Sequence, residues 1–129
     1  GSEMCIRDRN MSSFDKLMYL NYEAHSMMEE KIKVDLLSSL YSTQLVASGQ
    51  RHLLDQNRNY YKLITKVVTE GQKCGEIRDD VSVLDITRYY SMCERALVYD
   101  WCLNKGIYSL GKYSKKSMPV MMEHFKTNK

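Results

Sequence analysis

Proline is nearly missing from this chain, at one residue in 129, and glycine is scarce at six. Turn-dense β-sandwiches, collagen-like repeats and low-complexity linkers all need more of both. Phenylalanine numbers only two, against ten tyrosines and nine methionines, a balance that points to helices. No apolar run approaches the roughly 20 residues that cross a bilayer, and no secretory signal is visible. Charge of one sign is also lacking. The net +3 is too small to argue for nucleic acid, and its one concentration, Lys112, Lys115 and Lys116, reads as a solvated face.

What remains is one soluble helical domain by length. The four cysteines, Cys5, Cys74, Cys93 and Cys102, match no zinc or redox spacing, with no C-x-x-C and no paired histidine. Cys93 and Cys102 fall within one apolar helical pattern, where a thiol acts as a small hydrophobe. Free thiols in a reducing cytoplasm are expected. Gly1-Ser2 resembles a cloning scar, and Glu3 to Arg9 resembles translated adapter read-through without periodicity. Residues 1–10 are therefore set apart as artefactual or disordered, and residues 11–129 form the domain.

From Ser13 to about Lys33, Phe14, Leu17, Met18, Leu20, Met27, Met28 and Ile32 recur at spacings of three and four, which predicts a helix capped by Ser13. Val34 to Ser48 repeats the pattern with Leu36, Leu37, Leu40, Tyr41, Gln44 and Leu45, and Gly49-Gln50 interrupts it. A short helix is expected at His52 to Gln56. Another runs from Asn57 to Lys73, ending before Gly75. Ser82 with Asp85 three residues on makes a capping-box variant for a long helix reaching Asn104-Lys105 and Gly106. A last helix covers Ser109 to Lys126, with Pro119 expected to kink it or delay its start. The fold class is all-α: an antiparallel bundle of about five or six helices.

The long helix is the most informative element. At about 100° per residue, Tyr89, Met92, Ala96, Tyr99 and Leu103 share one side, while Ile86, Tyr90, Leu97 and Trp101 share the next. The apolar arc spans roughly 200°, about twice what a surface helix needs. A helix this apolar must be covered twice, once by its own domain and once by a second copy. The last helix agrees, through Met118, Met121, Met122 and Phe125. Doubled about a two-fold axis, the two helices would make a four-helix interface, with Ala96, Tyr99, Leu103, Met118, Met121, Met122 and Phe125 as its residues.

Two segments carry a resemblance. Glu70-Gly71-Gln72-Lys73-Cys74-Gly75-Glu76-Ile77-Arg78-Asp79-Asp80 resembles the G-Q-x-x-G-E-I-R-x-D segment of TetR-family effector domains. Ala96-Leu97-Val98-Tyr99-Asp100-Trp101-Cys102-Leu103-Asn104-Lys105-Gly106, followed by Tyr108-Ser109-Leu110, resembles that family's G-L-x-Y-D-W-x-L-x-x-G and Y-D-L. The resemblance covers residues 57–110. It implies an all-helical transcription-regulator domain, a repressor of bacterial origin, whose last two long helices dimerise and whose earlier helices enclose an effector cavity. Ala96 and Ser109 depart from the family's glycine and aspartate. The family's helix-turn-helix head needs about 45 residues, more than stand before Phe14, so DNA contact is expected only through a head absent from this chain.

No catalytic chemistry is legible. His25, His52 and His124 are scattered, E-x-x-H does not occur, Glu29-Glu30 reads as a solvated face, and no glycine-rich phosphate loop exists. No cofactor, metal or membrane partner is expected. The effector is expected to be small and apolar or aromatic, held by tyrosine and methionine on inward faces: Tyr22, Met27, Tyr41, Gln44, Tyr61 and Ile64, with Tyr89 and Met92 closing the cavity unless they serve the dimer. The alternative is a helical dimer acting as an interaction module without a ligand.

Overall fold

The computed structural model describes residues 11–46 and 58–127. Five helices run Ser13–Lys31 (α1), Val34–Val46 (α2), Asn59–Lys73 (α3), Val83–Leu103 (α4) and Leu110–Met122 (α5), and a 3₁₀ turn at Glu123–Phe125 closes them. Among the described residues there is no strand, only one antiparallel bridge between Ile77 and Lys126. The expected helical bundle is therefore present. The expected interruption at Gly49-Gln50 and short helix at His52–Gln56 lie outside the described residues.

Local chemistry sets the boundaries. The cap of α1 is Ser12 rather than Ser13: its hydroxyl accepts from the Asp15 N–H at 3.1 Å, while Ser13 is buried. The helix ends two residues earlier than expected, because Ile32 is extended. Ser82 caps α4 as expected, accepting from the Asp85 N–H at 3.1 Å. Gly75 and Gly106 have φ of 74° and 67°, the left-handed terminators that their positions implied. Pro119 sits inside α5, where its ring removes one N–H from the helical ladder. The helix passes through it and tightens to 3₁₀ four residues later, so the late start allowed for in the sequence does not occur.

α5 lies along α1, and their contact sets a correction. Glu29 is not a solvated residue. Its carboxylate accepts from the Leu110 N–H (3.1 Å), the Gly111 N–H (2.9 Å) and the Ser109 hydroxyl (2.8 Å), satisfying orphan donors at the positive end of α5. This supplies across the fold what Ser109 alone supplies weakly. A Cβ on Gly111 would meet the Ser26 hydroxyl, would lie 3.1 Å from a Glu29 carboxylate oxygen and 3.2 Å from the Ser26 Cα. Gly111→Ala is accordingly expected to destabilise the chain by about 1–3 kcal/mol through overpacking. An unchanged urea midpoint would show that α1 and α5 stand further apart.

Both motif segments run from the end of a helix into a corner. After α3, the Gln72 side-chain N–H₂ donates to the carbonyls of Arg78 and Val81, each at 2.8 Å, and Ile77 is buried. Arg78 pairs with the Asp80 carboxylate. The chain end folds back on this corner: the Arg78 N–H donates to the Phe125 carbonyl at 2.9 Å, and the Thr127 hydroxyl to the Gly75 carbonyl at 2.6 Å. At the α4–α5 corner the Trp101 indole N–H donates to the Tyr108 carbonyl at 2.7 Å, and the Tyr108 hydroxyl to Asp100 at 2.8 Å. Cys93 and Cys102 are free and half-buried, whereas Cys74 is disulfide-bonded, so the expectation of free thiols throughout does not hold.

Candidate functional site

The inner face of α1 reads Phe14, Leu17, Asn21, His25 and Met28, at steps of three and four. Two members of that stripe are polar and almost inaccessible, Asn21 at 0 % and His25 at 2 % exposure. A buried polar pair must find partners, and it finds them on α4 and α5. The Asn21 side-chain N–H₂ donates to Glu94 Oε2 at 3.0 Å and points at His25 Nδ1 at 3.4 Å. The Ser114 hydroxyl of α5 lies 2.6 Å from the same His25 nitrogen. Two donors converging on Nδ1 assign it as the acceptor of a neutral imidazole protonated at Nε2. Burial lowers the His25 pKa to about 4.

Glu94 occupies the corresponding place on α4, four residues after Tyr90 and three before Leu97. Its Oε2 accepts from Asn21 and from the Tyr60 hydroxyl at 2.8 Å. The Tyr60 oxygen in turn lies 2.8 Å from the Tyr90 hydroxyl, which also reaches the Leu17 carbonyl at 3.1 Å. Since Tyr60 has one proton and gives it to Glu94, Tyr90 is the donor to Tyr60 or to Leu17. Burial raises the Glu94 pKa to about 6, against the lowering effect of its hydrogen bonds from Asn21 and Tyr60 and of the Arg58 charge. Both tyrosine hydroxyls are held protonated well above their ordinary range, first by burial and then by Glu94.

These groups border a cavity of about 230 Å³ between α1, α2, the start of α3 and α4, lined by Ala24, His25, Met28, Tyr41, Arg58, Tyr60, Ser91, Glu94 and Arg95. Among the described residues, two buried polar atoms in and beside this network lack a partner, Arg58 Nε and Asn21 Oδ1. Tyr41 enters from α2 with its hydroxyl pKa pushed up to about 12 by burial and by Glu94.

Of the residues expected to bind a ligand, Tyr41 lines this cavity. Tyr41, Gln44 and Met92 line a second, apolar cleft of about 770 Å³ between α2 and α4, with Leu45, Ala96, Tyr99 and Leu103 among its other walls. The remaining five lie elsewhere. Tyr61 and Ile64 are buried in the core. Tyr22 sits under the Lys115 ammonium at 5.1 Å, Met27 is 51 % exposed, and Tyr89 stacks on Phe125 at 5.5 Å between ring centroids. The residues missed are Asn21, His25, Arg58, Tyr60 and Glu94. One signal for Glu94 was present in the sequence: a carboxylate set inside the apolar stripe Ile86, Tyr90, Leu97, Trp101.

The outer face divides in the same way. Ala96, Tyr99 and Leu103 are exposed on α4, with Met92 beside them. On α5 the expectation needs correcting. Met118 and Met122 are fully buried in the chain's own core, because Leu110, Ser114, Met118 and Met122 recur every four residues and face inward. Met121, with Val120 and Tyr113, faces outward. Phe125 is half-buried against Tyr89. Met121 and Ala96 share a shallow groove of about 400 Å³ between the two helices.

Among the described residues no three acidic, histidine or cysteine side chains are grouped to hold a metal, and no helix is long and apolar enough to cross a membrane. No protein family, curated protein or solved structure matches this chain.

Proposed function

We propose that this chain is the effector-sensing, dimer-forming domain of a bacterial TetR-type regulator, acting on DNA through a helix-turn-helix head outside it. The observation that carries the reading is the half-open cavity at Glu94 and Arg58. A protein that only scaffolds a partner gains nothing from a hollow whose walls hold a carboxylate at raised pKa and a buried donor without an acceptor. A ligand that supplies the missing partners stabilises whichever packing presents them, which is how a sensor shifts between states.

The wiring supports transmission. His25 lines the cavity and is bonded to α5 through Ser114, while Asn21, one turn earlier on α1, is bonded to Glu94 on α4. A ligand that touches His25 or Glu94 therefore acts on the seating of α1 against the two helices that present the outer apolar face. In this reading the effector favours a seating of α1 that holds two heads at the wrong spacing for adjacent half-sites. The two-sided arc of α4 supports the dimer: one side is buried in the chain, and Met92, Tyr99 and Leu103 on the other are 47–64 % exposed.

Native mass spectrometry of the purified chain tests both parts at once. A dimer with retained extra mass is the expected result. Leu103→Glu or Ala96→Glu would set like charges against their mates across the two-fold axis and is expected to leave a folded monomer. A variant that stays dimeric would show the face to be misassigned. The open apolar cleft between α2 and α4 favours a second reading, an interaction module without a ligand. A bare dimer that takes up a helical partner there would select it.

A further inference from the structure

If the cavity at Glu94 and Arg58 is the sensing site, on which the ligand class rests, its charge pattern selects among ligands. Among the described residues Glu94 is the one acidic group in its wall, with Arg58 and Arg95 as the basic ones, and His25 beside them is neutral. Glu94 commits Oε2 to Asn21 and Tyr60. Arg58 stands at the residue before α3, makes no capping bond with its side chain, and has a buried Nε without an acceptor. A buried charged donor left unpaired costs more than an ordinary unmade bond. The field of Arg58 reaches Tyr41, Tyr60 and Glu94, so it pervades the whole hollow.

A cation entering this space would approach Glu94 but would also meet two guanidinium groups in a medium that screens poorly. A neutral ligand would offer the Arg58 Nε at most an uncharged acceptor. A monoanion gives the Nε donor a charged acceptor, the stronger kind of hydrogen bond. Arginine holds a carboxylate well, because its planar fork matches the two oxygens. The rest of the wall supplies Tyr41, Tyr60, Met28 and Ala24, which suit the face of an aromatic ring. The volume of about 230 Å³ lies below the range of about 300–1,000 Å³ for drug-sized ligands, which restricts the ring count to one.

We propose that the cavity binds a small single-ring aromatic carboxylate, its carboxylate accepting from Arg58, its ring between Tyr41, Tyr60 and Met28, and a hydroxyl on the ring donating to Glu94. This narrows the apolar or aromatic effector expected from the sequence to an acidic one, and it makes Arg58 and Glu94 the residues that choose it.

Three probes of one shape and different charge provide the test: 4-hydroxybenzoate, 4-hydroxybenzamide and 4-hydroxybenzylamine, titrated calorimetrically into the full chain at about pH 7.5, near neutrality where the benzoate is ionised. Shifts of the His25 ring resonances report whether each enters the cavity. The benzoate is expected to bind at least about tenfold tighter than the other two, and Arg58→Met to remove that preference while leaving the circular dichroism spectrum unchanged. Should Arg58→Met fail to fold, the ranking on the natural chain decides alone. An amide or amine that binds as well as the benzoate, or a preference that survives in Arg58→Met, overturns the acidic-ligand assignment and leaves the sensor reading standing. A chain that binds none of the three overturns the assignment too, and if it is also bare in native mass spectrometry the sensor reading falls with it.

Discussion

Trp101→Ala is expected to cost about 3–5 kcal/mol of unfolding free energy, a large share of the stability of a domain this size. The indole is 4 % exposed, and it fills the angle where α4 ends and the chain turns into α5. Its ring also fixes the turn: a Cβ on Gly106 would lie only 3.1 Å from Trp101 Cζ2, so the left-handed glycine and the indole form one close contact. Truncation removes this packing and opens a cavity that the corner cannot collapse into, because Tyr108 and Asn104 are tied to Asp100. Trp101→Phe separates the two contributions. It keeps most of the apolar volume but leaves the Tyr108 carbonyl without its donor, which is worth about 1–2 kcal/mol. Since this is the only tryptophan in the chain, the series should be followed by far-ultraviolet circular dichroism in urea. If Trp101→Phe loses as much as Trp101→Ala, the hydrogen bond rather than the packing holds the corner. If neither loses stability, the corner does not set the angle between α4 and α5.

That corner also shows what is legible in the sequence. The Tyr99-Asp100-Trp101 segment and the Gly71-Gln72 segment are informative because corner chemistry is local. An indole N–H, a glutamine amide and a left-handed glycine each act on backbone within ten residues, so spacing alone places them. The helices are legible for the same reason, since a period of three to four is written along one stretch of chain. Boundaries slip where one serine stands beside another, as at Ser12 and Ser13. Glu29 reads wrongly because its partners lie 80 to 82 residues away on α5, and no period can show that. The candidate site is only half legible. Expecting a ligand pocket to be made of apolar residues favours Met27 and Tyr89, which lie on outward faces. The candidate cavity is marked by polar residues in apolar stripes: Asn21 and His25 on α1, Glu94 on α4. Such residues break the hydrophobic pattern without breaking the helix, so a count of apolar matches passes over them. The outer face of α5 is misread by the same kind of count, because three methionines and a phenylalanine close together do not say which of two faces they share.

Glu94→Gln is expected to make the chain more stable at neutral pH and more sensitive to acid. The folded pKa of Glu94, about 6, lies above its ordinary 4.5. Its neutral form is therefore favoured by folding, and a penalty appears as pH rises from about 4.5 through 6, reaching about 2 kcal/mol. His25 has the opposite sign. Its folded pKa of about 4 lies below the ordinary 6.5, because burial disfavours the charged imidazolium. Its penalty appears as pH falls from about 6.5 through 4 and reaches about 3 kcal/mol. In the natural chain the two oppose each other, so between about pH 8 and pH 4 their sum changes by only about 1 kcal/mol. Glu94→Gln removes one side of that balance. The glutamine carbonyl still accepts from Tyr60 and Asn21, and its new N–H₂ faces a neighbourhood where Asn21 Oδ1 lacks a donor. Urea unfolding of the variant should show a gain of about 2 kcal/mol at about pH 8, none at about pH 4, and a fall of about 3 kcal/mol between them. A variant whose profile runs parallel to that of the natural chain would mean that Glu94 is solvated like a surface carboxylate. The same substitution bears on the proposed sensing role: in that reading a half-buried carboxylate that costs the fold stability is kept for its ligand.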